Sequence, residues 1–258
     1  MTTRVLVTGA TGNVGRQVMT QLRAEAVALP RDRADLARPE SLTGSLREVD
    51  AVFLIWPLHS GEALPGVLAE IARHARRVVF LCSGAVGDLS MDAQEELIRR
   101  SGLEWTVIRA STFAVNARWW TGQIRAGEQV RGAYGGLGLA MLHEADIAAV
   151  AVRALTGEGH HGQVYRLTGP EVLSQAEQVR IIGEVLGRPL RWVELDRVTA
   201  RRQLLADGLP LSFVDVLLDA YAAMSSQPSP EITDTVATVT GSPARSFRQW
   251  VADHAAEF

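Results

Sequence analysis

The chain has 258 residues, 47% of them hydrophobic and 21% charged, with a formal net charge of −3. That is a globular composition of one or two modest domains, with no charge excess to suggest nucleic acid or an anionic membrane surface as a partner. No apolar run approaches the length of a membrane span and the first residues lead into a strand, so neither a membrane segment nor a signal or transit peptide is expected; the one cysteine, Cys82, excludes an internal disulfide and points to the cytoplasm.

Taken in chain order, Val5-Leu6-Val7 reads as a parallel strand buried on both faces. Glycines 9, 12 and 15 follow, and a helix-period pattern starts at about 13–24. A strand passing through a glycine turn into a helix N-terminus is a phosphate cradle, because backbone N–H groups and the positive end of the helix dipole converge there. Gly9 permits the tight turn, Gly12 the approach of a pyrophosphate and Gly15 the packing of helix on strand. The G-x-x-G-x-x-G spacing is one residue wider than the common dinucleotide fingerprint.

Further strand-like runs lie at Ala26–Leu29, Ala51–Ile55, Val78–Leu81, Trp105–Ile108 and Val164–Leu167. Helical patterns at about 39–47, 64–75, 91–101 and 144–155 alternate with them, which predicts an α/β fold with a doubly wound parallel sheet. The 91–101 helix has Ser90 as its cap, Asp92, Glu95 and Glu96 near its start, Arg99 and Arg100 near its end and Gly102 as its stop. Beyond residue 155 the alternation weakens. Helices at about 174–186, 197–206 and 211–224 surround one strand candidate, Leu190–Leu195. Ser174–Glu177 and Ser246–Gln249 are capping boxes, and the Ser/Thr/Pro-rich stretch 225–243 reads as a surface connection. The expected organisation is a Rossmann domain over 1–155 and a smaller substrate-binding cap over 156–258, with 113–142 contributing to the cleft.

Several blocks, in order, resemble the NmrA-like, atypical branch of the short-chain dehydrogenase/reductases: "TGATGNVG" (8–15), "ADLARPESL" (34–42), "VDAVFLIWPL" (49–58), "SGLEWTVIRASTF" (101–113), "HEADIAAVAVRAL" (143–155) and "YRLTGPE" (165–171). The resemblance implies an NAD(P)-binding Rossmann domain with a substrate cleft roofed by C-terminal segments. Carried over by position, Gly9, Thr11, Gly12, Asn13 and Val14 hold the pyrophosphate, and Asp35 and Leu36 lie by the adenine. Ile55, Trp56 and Pro57 lie along the ribose and nicotinamide. Cys82, Ser83 and Gly84 end a strand at the switch-point crevice, with Cys82 itself expected as buried filler. Two departures stand out. The stretch "AVALPRDRADL" leaves no room for the family's next strand. The superfamily's Tyr-x-x-x-Lys is absent as well: Tyr134, Tyr165 and Tyr221 all lie outside the 91–101 helix, and all 26 basic residues are arginine. Glu95 stands where NmrA-like proteins commonly carry glutamate.

Arginine after the second strand suits a 2′-phosphate, so Arg31, and after it Arg33, favour NADP over NAD. A positioned general acid is worth about 10²–10⁴ in rate. A site without the tyrosine–lysine pair therefore suits acceptors that spread negative charge, such as quinones and enones. Ser83 and His143 are the candidate donors, His143 equally readable as a loop histidine steadying the next helix, whose Asp146 suits the helix dipole. Phe113, Asn116, Trp119 and Trp120 are candidate walls of an aromatic-substrate pocket, core packing being an equal reading for the tryptophans. His160-His161 has no ligand partners at metal spacing and reads as a loop. The expected function is an NADPH-dependent oxidoreductase acting on a conjugated or quinone-like small molecule. A non-catalytic NAD(P) sensor and, third, a sugar-nucleotide reductase or epimerase are the alternatives.

Overall fold

The computed structural model describes residues 3–30, 34–110 and 112–258. In its first stretch β1 (Val5–Val7), α1 (Asn13–Leu22), β2 (Ala26–Ala28), α2 (Thr43–Leu46), β3 (Ala51–Ile55), α3 (Leu64–His74), β4 (Arg77–Cys82), α4 (Met91–Arg99) and β5 (Glu104–Ala110) alternate. A 3-10 helix, Ala114–Trp120, precedes α5 (Thr121–Ala126), β6 (Gln129–Gly132), β7 (Gly138–Leu139) and α6 (Glu144–Thr156). Then come β8 (Gln163–Leu167), β9 (Leu173–Ser174), α7 (Gln175–Leu186) and β10 (Arg191–Glu194). The last helices are α8 (Arg197–Ala206), α9 (Leu211–Ser225), α10 (Thr235–Thr240) and α11 (Phe247–Asp253).

Six strands form a parallel sheet in the order β2-β1-β3-β4-β5-β8. The chain steps from β1 outward to β2 and then returns to β3 on the other side of β1. The order therefore reverses between β1 and β3, which is the switch point of a doubly wound sheet. Cys82–Gly84, expected at that point, instead end β4, with β3 intervening. The shortened region after the second strand has the consequence its sequence implies: β2 is a three-residue strand at one edge of the sheet.

Strand periodicity assigns the two faces. Leu6, Val52, Leu54, Val78 and Phe80 pack with Leu42, Leu46, Leu64, Val67, Ile71 and Ile98 from the α2–α4 side, each large side chain contributing about 1.5–3 kcal/mol on burial. Helices α1 and α6 pack together, and α6 also meets β3, β4 and β5. Arg77, the first residue of β4, is buried among them. Its guanidinium donates to the carbonyls of Leu155 (3.0 Å) and Gly157 (2.6 Å) and pairs with Glu104 (2.9 Å), so one side chain closes the C-terminal turn of α6. The predicted 39–47 helix is a 3-10 turn, Pro39–Leu42, running into the single turn of α2.

The chain divides into two compact units, the second comprising 112–143, 168–233 and 244–258 and the first the remainder. A single boundary near 155 does not describe this division. β8 belongs to the first unit because it extends the sheet beside β5, and α10 belongs there because it packs on α6 and β8. α10 lies within the stretch expected as a surface connection. Its threonines conceal an apolar contact through Val236, which is 2% exposed, and Gly241 (φ +77°) ends it. In the second unit β6 pairs in parallel with β10, and β7 antiparallel with β9. Ile124, Val130, Val179, Ile182, Phe247 and Trp250 form its core. The capping boxes at Ser174 and Ser246 open α7 and α11 as their spacing predicts. Among the described residues no helix is long and apolar enough to cross a membrane.

Candidate functional site

The β1–α1 turn is built from backbone. Thr8, the residue after β1, is buried; its hydroxyl donates to the Ile55 carbonyl (2.8 Å) and accepts from the Ile55 amide (2.7 Å), tying the end of β1 to that of β3. Gly9 then takes a left-handed conformation (φ +62°) and its carbonyl accepts from the Gly12 amide at 2.8 Å. A Cβ at Gly15 would stand 2.1 Å from the Gly9 oxygen, so α1 can seat this close to the turn only with glycine there. Gly12 is the N-cap of α1; no side chain caps it and no acidic residue lies in the first turn. Thr11, Gly12 and Asn13 are exposed around this N-terminus while Val14 is buried beneath it. A helix N-terminus offered without a carboxylate of its own, on a glycine turn at the sheet's switch point, fits a dinucleotide pyrophosphate.

The other expected cofactor residues are less uniform. Arg31 and Arg33, with Asp32 between them, lie outside the described residues. Ile55 and Trp56 are half-buried and Pro57 is exposed, immediately after β3 and beside the turn, and the Trp56 indole donates to the Ser60 carbonyl (3.0 Å). Asp35 spends its carboxylate locally: it accepts from the Ala37 amide (2.9 Å) and pairs with Arg38 (3.4 Å). Leu36 is a core residue under α2 and α3. Cys82 is fully buried, its thiol near the Gln94 side chain (3.9 Å). Burial pushes that thiol up to about 11, with the Glu95 carboxylate adding to the effect. Ser83, next to it, is exposed.

Glu95 is wholly buried and holds the Arg109 guanidinium of β5, which also pairs with Asp92 at 2.7 Å. The sequence marked Glu95 but not Arg109, since nothing local to β5 announces a partner on α4. His143 does not offer itself to a reactant: it is 2% exposed, its Nε2 faces Asp253 at 3.3 Å and its ring lies 5.8 Å from that of His254. Trp120 is buried edge-on to Trp192 (5.8 Å) in the second unit's core, and Trp119 packs edge-on to Phe213 (5.5 Å). Phe113 and Asn116 are half-buried on the same segment. His160 and His161 do more than line a loop: His160 Nδ1 meets the Tyr165 hydroxyl (2.7 Å) and His161 Nδ1 accepts from the Trp105 amide (3.1 Å).

One constellation in the second unit escaped the sequence. Tyr134 adopts a left-handed backbone (φ +62°) that only two other described non-glycine residues share. The Glu194 carboxylate accepts from the amides of Tyr134 (2.7 Å) and Gly135 (2.9 Å) and from the Trp192 indole (2.7 Å). Gln175, itself buried, donates to the Tyr134 carbonyl at 2.9 Å. Sixty residues separate Tyr134 from Glu194, so no local signal links them.

No family model matches the chain. It is 36% identical to the (4-alkanoyl-5-oxo-2,5-dihydrofuran-3-yl)methyl phosphate reductase of Streptomyces griseus, over 98% of this chain and 99% of that protein. It is 30% identical to the NAD(P)H azoreductase of Xenophilus azovorans, again over 98% and 99%. Among solved structures, the NADPH-dependent quinone oxidoreductase of Escherichia coli in complex with NADPH has the same fold, with a TM-score of 0.82 at 21% identity over 96% of this chain and 99% of that one.

Proposed function

The chain belongs to the NmrA-like, atypical branch of the short-chain dehydrogenase/reductases, and from that membership we propose that it reduces quinone-like or otherwise conjugated small molecules with NADPH. It is an NAD(P)H-dependent oxidoreductase, like the azoreductase and quinone oxidoreductase it resembles. The observation that carries the nucleotide reading is the uncapped N-terminus of α1 on its glycine turn. Gly9, Thr11, Gly12, Asn13 and Val14 would hold the pyrophosphate, with Ile55, Trp56 and Pro57 along the ribose and nicotinamide. Arg31, seconded by Arg33, would pair with the 2′-phosphate. Bound there, NADPH supplies a hydride equivalent.

The acceptor class follows from what the chain lacks. With no lysine anywhere and no tyrosine on α4, the superfamily's usual acid is missing. That omission costs least where the acceptor delocalises the charge it gains. Phe113 and Asn116, half-buried after β5, remain the candidates for lining an acceptor pocket, Trp119 and Trp120 being packed on Phe213 and Trp192.

The test is NADPH oxidation by the purified protein with 1,4-naphthoquinone, an azo dye and cyclohexanone. Turnover with the first two and little with the third is expected. Tight NADPH binding without acceptor-dependent turnover would overturn the reductase reading in favour of a nucleotide sensor. Arg31→Ala should weaken NADPH about ten- to a hundredfold and leave NADH nearly unchanged.

A further inference from the structure

The loops after β3 and β4, residues 56–63 and 83–90, leave the carboxyl ends of neighbouring parallel strands, the edge at which open α/β sheets bind their ligands. Within the second loop Val86 and Leu89 exchange backbone hydrogen bonds, each of 3.0 Å, to form a small hairpin. A side chain from the next helix fixes it. Gln94 of α4 is 1% exposed, and its amide nitrogen donates to the carbonyls of Gly84 (2.8 Å) and Leu89 (3.2 Å), which bracket the hairpin. Its oxygen faces the Cys82 thiol at the end of β4, at 3.9 Å. A glutamine amide has two N–H groups, and both are used on this loop. The helix itself needs neither, since Ser90 caps it.

The hairpin in turn rests on the loop after β3. A Cβ on Gly61 would stand 2.6 Å from Leu89 Cδ2, and one on Gly87 would stand 3.0 Å from the His59 carbonyl oxygen, so the two loops meet where each carries a glycine. Ser60 lies between those two contacts, and its carbonyl accepts from the Trp56 indole at 3.0 Å. Trp56 follows Ile55, whose amide and carbonyl are both tied to the Thr8 hydroxyl just before the glycine turn. Trp56 and Leu89 also pack, half-buried, against the same core. One buried amide therefore reaches, through two touching loops, the residue that stands beside the cradle.

We propose that Gln94 is a positioning residue for the nicotinamide half of the cofactor: by holding the 84–89 hairpin against the 56–63 loop, it keeps Trp56 where NADPH requires it. The proposal rests on the reading that Ile55, Trp56 and Pro57 lie along the ribose and nicotinamide, and adds to it the group that holds them. Without the amide, the Gly84 and Leu89 carbonyls lose their donor and the hairpin loosens to reach water instead. Binding must then order both loops, and that penalty falls on the nicotinamide half alone. The pyrophosphate turn is untouched, because main-chain contacts among Gly9, Gly12 and Gly15 hold it.

The experiment compares, by calorimetry, NADPH with 2′-phospho-ADP-ribose, which keeps the adenine and all the phosphates but lacks the nicotinamide. The wild-type protein should bind NADPH the more tightly. Gln94→Met keeps the side chain's length and removes its amide; it should weaken NADPH about tenfold, the order of one hydrogen bond, and 2′-phospho-ADP-ribose by less than about twofold. In the cofactor-free protein, amide hydrogen exchange over residues 84–89 should quicken about tenfold in the same variant. Gly61→Ala, which parts the two loops from the other side, should reproduce the split between the ligands. A Gln94→Met protein that binds both ligands as the wild type does, loses both alike or shows unchanged exchange overturns the proposal while the reductase reading stands. If that variant does not fold, the presence or absence of the split in Gly61→Ala decides in the same way. A wild-type protein that binds 2′-phospho-ADP-ribose as tightly as NADPH overturns the placement of Trp56 along the nicotinamide, and the proposal with it.

Discussion

Two turns of this chain place a residue at the same left-handed φ of +62°: Gly9 after β1 in the first unit, and Tyr134 after β6 in the second. At Gly9 the conformation costs nothing, and what holds it is main chain, through the Gly12 amide and the close seat of Gly15. At Tyr134 the conformation is strained, and what holds it is side chain, through Glu194 and Gln175. The first turn leaves Thr11, Gly12 and Asn13 exposed, whereas the second has its amide and carbonyl engaged by side chains. One is fixed by neighbours in the chain, the other by side chains from distant elements.

If that contrast is right, substitutions should act differently in the two turns. The largest effect belongs to Gly15→Ala, whose new Cβ meets main chain that cannot turn aside. A loss of about 3 kcal/mol is expected, seen as a fall in Tm of about 6–12 °C; an unchanged Tm would mean that α1 does not depend on this seat. Gly12→Val comes next, with a Cβ 3.2 Å from the Gly9 oxygen and a branched side chain where the proposed pyrophosphate would lie. It should retain the fold and weaken NADPH about a hundredfold by calorimetry, and undiminished affinity would remove the nucleotide from this loop.

In the second turn Glu194→Ala strips three donors of their acceptor. Glu194 is exposed, so water partly replaces it, and a loss of about 1–2 kcal/mol in chemical denaturation is expected. A variant as stable as the wild type would show that the tyrosine turn holds itself. The smallest effect concerns Cys82. Its thiol should resist a disulfide reagent in the native protein at neutral pH and react once unfolded. Because its folded value is raised from 9.0 to about 11, its contribution to stability is complete below pH 9 and is lost as pH rises through about 11. Rapid native labelling would contradict the burial.

The same contrast explains what the sequence disclosed. Strand and helix periods set out the six-stranded sheet, and the glycines at 9, 12 and 15 marked the tight β1–α1 turn, because both are encoded by neighbours in the chain. The Ser174 and Ser246 caps were legible for that reason too. Tyr134 was only one of three tyrosines until Glu194 reached it across the β6–β10 pairing. Arg109 needed Glu95 from α4, and α10 was hidden because threonines and prolines around Val236 read as loop. His143 carried two readings because nothing near it in the chain announces Asp253, 110 residues downstream. Locally encoded features could be read in advance, whereas those made by distant side chains could not.

The division of the chain into units has a practical consequence. Between residues 111 and 244 the backbone passes from one unit to the other five times. No single cut therefore liberates either half. A fragment ending near 155 lacks β8, which closes one edge of the sheet beside β5, and α10, which covers α6. A fragment beginning there lacks the 112–143 segment that supplies β6 to β10. The two halves cannot be exchanged as cassettes between relatives by one crossover. Any chimera that recombines them must graft at least three segments together.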